Sequence, residues 1–201
     1  MLITLDFLKS KGACLTGLRY FKENFGESAD YQAVLDKLAA DDRVSDARWL
    51  LDNAGSDKDA VREITETPAT RHVFAAGRLE IKIDISVAGC VFAGSGIKAG
   101  LGISAGEGIK AGEGISAGWG ISAGKGIKAG EGISAGWGIK AGFSIRCKRA
   151  LSARLRIFAG LVSWRMPTPE EQEIECAKLE QGTVALGFIK ETDAAQEAAK
   201  R

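Results

Sequence analysis

The hydrophobic positions in the middle of the chain recur with a period of six. From Val73 to Ile145 every sixth residue is aliphatic, and a second small or aliphatic residue, most often alanine, follows two positions later. A spacing of two directs both side chains to one face of a short β-strand. The unit is I-x-A-G-x-G, and we expect its glycines to bend the chain by adopting positive φ. Repeated strands and tight corners predict a parallel β-helix.

A longer repeat predicts the number of sides in each coil. The stretch 109–126 returns as 127–144 with 15 of 18 positions identical. A period of 18 contains three hexads, so the predicted coil is triangular, and residues i and i+18 stack in columns. The stretch 73–147 then supplies about four coils, or roughly 20 Å of solenoid at about 4.8 Å per coil.

Two outward columns are candidates for binding a partner. One is an apolar corner, which we expect to be exposed unless the head, the tail or a second copy covers it. The other is basic, runs on from Phe74 and Phe92, and is expected to continue into Lys148, Arg149, Arg154 and Arg156. A basic stripe suits nucleic acid or an acidic protein, and a merely solvated face is the alternative. The candidate residues are Leu101, Trp119 and Trp137 at the corner, and Lys110, Lys128 and Arg146 in the basic column.

The flanking segments have different patterns and divide the chain into three regions. Residues 1–70 predict a helical head, with helices near 6–11, 13–25, 30–41 and 45–53. Residues 71–147 are the parallel β-helix, and residues 148–201 predict a β-rich C-terminal cap with a strand at 153–164, a helix start or turn at Thr168, a hairpin around 181–182 and a polar tail. The fold class is therefore mixed α and β. The head is expected to cap the solenoid or to act as an independent docking module.

Composition and charge limit the classes of protein to which the chain can belong and the compartment expected for it. The chain has 201 residues, is 45% hydrophobic and carries a net charge of +1, which excludes a polyanion or a polycation. Residues 1–70 hold 9 basic and 13 acidic side chains, whereas residues 71–147 hold 9 and 5, so the head and the solenoid can attract one another. The N-terminus lacks signal-peptide features, no apolar run is long enough to span a membrane, and the four cysteines are scattered. These features predict a cytoplasmic protein without disulfide bonds or a zinc site.

No catalytic motif is strong. His72 is the single histidine, and hexapeptide-repeat acyltransferases use a histidine base on a β-helix. The repeat of those enzymes differs from this one. In the regular hexads here, Lys or Ser follows Ile, and the small residue comes two positions after Ile rather than four. We therefore expect His72 to be a surface or cap residue. The glycine spacing is not part of a strand–turn–helix, so no nucleotide, cofactor or metal is expected.

The residues HVFAAG at 72–77, the Ile/Val hexads and the glycine corners resemble the bactofilins. These are polymer-forming bacterial proteins with a triangular β-helix and no catalytic site. The chain also resembles a set of small phage and mobile-element proteins that have a helical head, an IKAGxG-type solenoid and a tail containing RIFAGL, present here at 156–161. The second resemblance covers more of the chain.

These features favour a non-catalytic β-solenoid that binds another protein through its rigid faces. The phage-like resemblance implies a host defence complex as the partner, blocked sterically. The sequence leaves two alternatives: a self-assembling scaffold similar to the bactofilins, and an enzyme similar to the acyltransferases. Nucleic acid is a less favoured partner, a membrane is not expected, and the oligomeric state stays open.

Overall fold

The structure, a computed structural model, describes residues 1–191 and contains a parallel β-solenoid of about seven turns with a helical head at its N-terminal end. Each turn takes 18 residues, since Ile109 pairs with Ile127 and Ile121 with Ile139. The predicted fold class and the triangular coil are therefore confirmed. The part of the predicted polar tail after Glu191 lies outside the described residues.

The head contains four helices and a small antiparallel sheet. Its elements are β1 (Leu2–Thr4), α1 (Leu5–Ser10), α2 (Leu15–Phe25), β2 (Ser28–Asp30), α3 (Tyr31–Ala40) and α4 (Val44–Ala54). Thr4, Cys14 and Asp30 each cap a helix by accepting a hydrogen bond from a backbone N–H of its first turn. The observed helices start and end within two residues of the predicted limits.

Eighteen further strands build the solenoid from the described residues. In chain order they are β3 (Val61–Ile64), β4 (Val73–Ala75), β5 (Arg78–Ile81), β6 (Ile85–Val87), β7 (Val91–Ala93), β8 (Ile97–Ala99), β9 (Ile103–Ala105), β10 (Ile109–Ala111), β11 (Ile115–Ala117), β12 (Ile121–Ala123), β13 (Ile127–Ala129), β14 (Ile133–Ala135), β15 (Ile139–Ala141), β16 (Ile145–Cys147), β17 (Ala150–Phe158), β18 (Glu173–Cys176), β19 (Lys178–Leu186) and β20 (Phe188–Glu191).

The strands form three faces. Face 1 has the order β4-β7-β10-β13-β16-β18-β20. Face 2 runs β3-β5-β8-β11-β14 and face 3 runs β6-β9-β12-β15, and the long strand β17 bends from one to the other. The isoleucine and alanine of each hexad point inward and are almost wholly buried, as in Ile115 and Ala117. The period-2 prediction of which side chains face inward is therefore confirmed.

The parallel pairing extends beyond 71–147 on both sides. It begins at β3, and it continues through β17 to β20. The predicted hairpin around 181–182 is wrong, because Gln181 and Gly182 lie inside the single strand β19, which pairs in parallel with β17. Gly182 has φ of +112° and no room for a Cβ beside the carbonyl oxygen of Ala153, so it bends this strand instead of reversing it. The predicted helix start at Thr168 is confirmed as a capped 3₁₀ turn over Pro169–Gln172.

The repeat glycines serve a different purpose from the one expected. No glycine from Gly77 to Gly142 has positive φ, so the expectation of positive φ at the corners is wrong. At most corners, Gly100 being an exception, the first glycine lies against the coil before it: a Cβ on Gly112 would overlap the carbonyl oxygen of Gly94. The close approach of stacked backbones, rather than a left-handed conformation, requires glycine there.

The head caps the solenoid at its first face-1 strand. The side chain of Gln32 on α3 accepts a hydrogen bond from the Ala76 amide (2.9 Å) and donates one to the Phe74 carbonyl (2.9 Å). These bonds satisfy backbone groups next to the edge strand β4, which would otherwise be open to further pairing. Phe74 and Phe92 also join the buried core of the head, so the head covers the start of face 1 as well as its edge.

Candidate functional site

An apolar row lies at the corner between faces 2 and 3. The rings of Trp119 and Trp137 stack with centroids 5.4 Å apart and planes 7° from parallel. Their exposed fractions are 42% and 53%, although both are large apolar side chains. Backbone hydrogen bonds place Leu101 in the coil before and Leu155, 56% exposed, in the coil after. We call these four residues the tryptophan corner.

The stacking follows directly from the 18-residue repeat. The amide of Trp137 donates to the carbonyl of Trp119, and the amide of Leu155 donates to that of Trp137. Glycines on both sides of each tryptophan leave the indole without neighbours in its own coil, and so it projects outward. The predicted stacking and outward direction of Trp119 and Trp137 are therefore observed.

A groove runs along face 3 beside the tryptophan corner. Its volume is about 820 Å³, and its lining includes glycines and small serine side chains such as Ser104 and Ser122. We call it the corner groove. Its lining includes Trp119, Trp137 and Leu155 on one side, with Asp84, Lys140, Arg154, Arg156, Phe158 and Thr183 around the remainder.

The structure corrects the predicted course of the basic stripe. Arg154 and Arg156 were expected to continue the face-1 column, but they lie beside Leu155 and line the corner groove. Both positions follow from the repeat, because Arg154, Leu155 and Arg156 are 18 residues after Gly136, Trp137 and Gly138. The sequence pattern did not reveal their place in the groove because the hexad consensus ends near Cys147, before the coil that contains them.

The basic column itself is observed in register on face 1. Lys110 pairs with Lys128 across β10 and β13, and Lys128 pairs with Arg146 across β13 and β16. Much of its charge is already neutralised: Lys110 forms an ion pair with Asp52 of the head, and Arg146 lies 3.7 Å from the Glu175 carboxylate. Among the described residues, Lys128 alone of the three has no carboxylate partner.

The two candidate groups do not form one site. The basic column lies on face 1, whereas the tryptophan corner joins faces 2 and 3 and so lies across the triangular section from it. A compact partner seated on one group therefore does not reach the other. The carboxylates against the basic column make the tryptophan corner the stronger candidate.

His72 is not the surface residue that one branch of the expectation described. Its exposed fraction is 1%, its ring stacks on Phe74, and its Nδ1 accepts a hydrogen bond from the Cys90 amide at 2.9 Å. The other ring nitrogen, Nε2, is hydrogen-bonded to the carboxylate of Asp42 in the head. This bond lowers the pKa of Asp42. His72 therefore joins the head to the solenoid, in agreement with the cap branch.

A second exposed apolar segment follows β17 and was not singled out in the sequence. Leu161, Trp164 and Met166 are all more than half exposed. Arg165 fixes this segment through a two-pronged ion pair with Glu171 and a cation–π contact with Phe143, 5.6 Å from the ring centroid. Because Trp164 has no stacked partner ring within residues 1–191, it serves as a matched control for the tryptophan corner.

Comparisons with known proteins define only the head. The family model of the YdhT N-terminal domain matches residues 1–57, which are the four helices and the small sheet of the head. No curated protein and no solved structure matches the chain. The likeness to bactofilins and to phage and mobile-element proteins thus receives no support from these comparisons. No helix within residues 1–191 has the length and apolar character needed to cross a membrane.

Proposed function

We propose that the protein is a non-catalytic β-solenoid that binds another protein through the tryptophan corner. One observation carries the proposal: two stacked indoles stand exposed on a scaffold that holds them fixed. Large exposed apolar surfaces on a folded chain mark interaction sites more often than do scattered apolar residues.

The physical advantage of this arrangement is preorganisation. Backbone hydrogen bonds between successive coils hold both tryptophans, and their mutual stacking limits their side-chain rotation. Binding therefore costs little side-chain entropy while burying a large apolar area. Tryptophan is among the residue types that dominate binding energy at protein interfaces.

The burial of His72 supports a non-catalytic function. Both ring nitrogens have hydrogen-bond partners within the protein, and almost none of the side chain is open to a substrate. A general base must reach the proton that it removes, directly or through one water molecule. The enzyme alternative predicts acyl-CoA binding and turnover that His72→Ala abolishes without unfolding, and we expect neither.

The proposal also names a class of partner. The resemblance of the head, the hexads and the tail to phage and mobile-element proteins motivates a host defence complex, blocked sterically, as the partner. The scaffold alternative depends on the two ends of the solenoid: the head covers the first strand of face 1, whereas β20, the last strand within residues 1–191, exposes Phe188 and Ile189. The face-1 edge at the head end is therefore blocked for pairing with a second copy, which counts against a polymer of chains stacked end to end.

The test is comparative capture from a lysate of the native host. Wild-type protein, Trp119→Ala/Trp137→Ala and the control Trp164→Ala are immobilised at equal density, and retained proteins are identified by mass spectrometry. We expect one protein or complex that wild type and the control retain and the double variant loses. Retention of the same proteins by all three contradicts the proposal.

Size-exclusion chromatography with light scattering distinguishes the proposal from the scaffold alternative. The scaffold alternative predicts that wild-type protein self-associates without any partner.

A further inference from the structure

We infer that the corner groove binds an extended, acidic segment of polypeptide that also carries apolar side chains; this deepens the proposed function and rests on it. The inference comes from three cations that the groove adds to the apolar row. Lys140, Arg154 and Arg156 are all exposed and all line the groove. None of them has an ion-pair partner among residues 1–191.

The contrast with the basic column makes these cations informative. On face 1, carboxylates lie against Lys110 and Arg146. Around the corner groove, the lining includes one acidic side chain, Asp84, against the three cations. An unneutralised cluster beside a preorganised apolar surface is complementary to an acidic partner, because it attracts the partner and fixes its register.

The shape of the groove favours an extended chain. Beyond Asp84, the lining spans five stacked levels of backbone, at Gly102, Gly120, Gly138, Arg156 and Thr183. Four steps of about 4.8 Å give roughly 20 Å, which matches about six residues of extended polypeptide. The glycine and serine floor lets a backbone approach closely, and the indoles receive apolar side chains along one wall.

Nucleic acid also combines cations with aromatic contacts, but the indoles here are arranged unfavourably for it. Stacking a nucleobase requires a free ring face. Trp119 and Trp137 each turn one face to the other, and the column places Leu101 and Leu155 in the coils beyond their outer faces. Ring edges and apolar area remain available, and these suit aliphatic side chains.

The test measures binding of defined probes to the full chain by fluorescence anisotropy. The first probe is a labelled peptide of about eight residues in which glutamates flank two leucines, the second is its Glu→Gln counterpart, and the third is a single-stranded oligothymidylate of similar length. We expect the acidic peptide to bind about tenfold more tightly than its neutral counterpart, with an affinity that falls as salt rises.

Two triple variants assign the effect to the groove. The first variant, Lys140→Gln/Arg154→Gln/Arg156→Gln, should weaken binding of the acidic peptide about tenfold. The second, Lys98→Gln/Lys128→Gln/Lys148→Gln, removes the same charge outside the groove and should weaken binding much less.

Equal binding of both peptides, lost in Trp119→Ala/Trp137→Ala, overturns the acidic inference and leaves the proposed function standing. Tighter binding of the oligothymidylate overturns the choice of polypeptide. If no probe binds at about 1 mM, the inference fails, and the capture experiment judges the proposed function separately.

Discussion

At the scale of the residue, the interior of the solenoid is closed by small side chains. Ala117 is 4% exposed and stacks between Ala99 and Ala135, whereas Ser116 points to solvent. We expect Ala117→Leu to lower the free energy of unfolding by about 1–3 kcal/mol because the packed interior has no space for the added carbons. Ser116→Leu should change it by less than about 0.5 kcal/mol. Urea unfolding followed by circular dichroism measures both, and equal effects would contradict the assigned orientation.

Glycines on the two sides of one corner are expected to differ. A Cβ on Gly112 would overlap the Gly94 carbonyl oxygen, whereas a Cβ on Gly114 would lie 3.4 Å from the Gly132 carbonyl oxygen, an ordinary contact. Gly112→Ala should therefore destabilise the protein by about 2 kcal/mol or more, as strain in a packed backbone does. Gly114→Ala should be neutral or stabilise by up to about 1 kcal/mol, because alanine has fewer unfolded conformations. Thermal unfolding of both variants checks this, and the reverse order would disprove the stacking explanation.

The buried His72 is expected to contribute to stability rather than to turnover. Replacing it with alanine leaves the Cys90 amide without its acceptor and separates Asp42 from the solenoid. We expect His72→Ala to cost about 1–3 kcal/mol, the usual range for a buried donor left unsatisfied. Chemical denaturation gives the value, with Asp42→Asn as the milder control. An unchanged free energy of unfolding would show that His72 does not join the head to the solenoid.

At the scale of the element, the coil rather than the hexad is the unit of structure. Inserting a second copy of residues 127–144 after Ser144 keeps every column in register, since i still stacks on i+18. Inserting a second copy of 127–132 at the same place moves each later strand to the next face and separates β16 and β17 from their partners β13, β14 and β15. We expect the long insertion to retain one cooperative thermal transition and the short one to melt at a lower temperature. Equal melting temperatures would contradict the triangular coil.

The elements were predictable where the pattern was strong. The hexads predicted strand positions, facing and the i/i+18 register, because each strand repeats the same local requirement. The strands after Cys147 were harder, since β17 and β19 abandon the consensus and bend at non-repeat positions such as Gly182. Gln181 and Gly182 are residue types typical of a hairpin turn, but the open edge of β17 favoured parallel pairing of the whole strand β19.

At the scale of the whole molecule, charge and packing join the head to the solenoid. Asp52 of α4 meets Lys110, and Arg48 of the same helix lies over the Phe92 ring, 5.3 Å from its centroid. The opposite charges of the head and the solenoid predicted that these regions attract one another. They did not predict the contact residues, because those depend on how the helices pack against face 1. The same limit applies to the surroundings of His72, which include Asp42 of the head.

The most direct test of the central claim is the dissociation constant of the captured partner, measured by isothermal titration calorimetry. Trp119→Ala/Trp137→Ala should stay folded and weaken binding roughly thirtyfold or more, equivalent to about 2 kcal/mol. Trp164→Ala and Lys128→Glu should bind nearly as wild type; Lys128 represents the basic column because Lys110 also holds the head. A thirtyfold loss in Lys128→Glu with no loss in the folded double variant would contradict the account and assign binding to face 1.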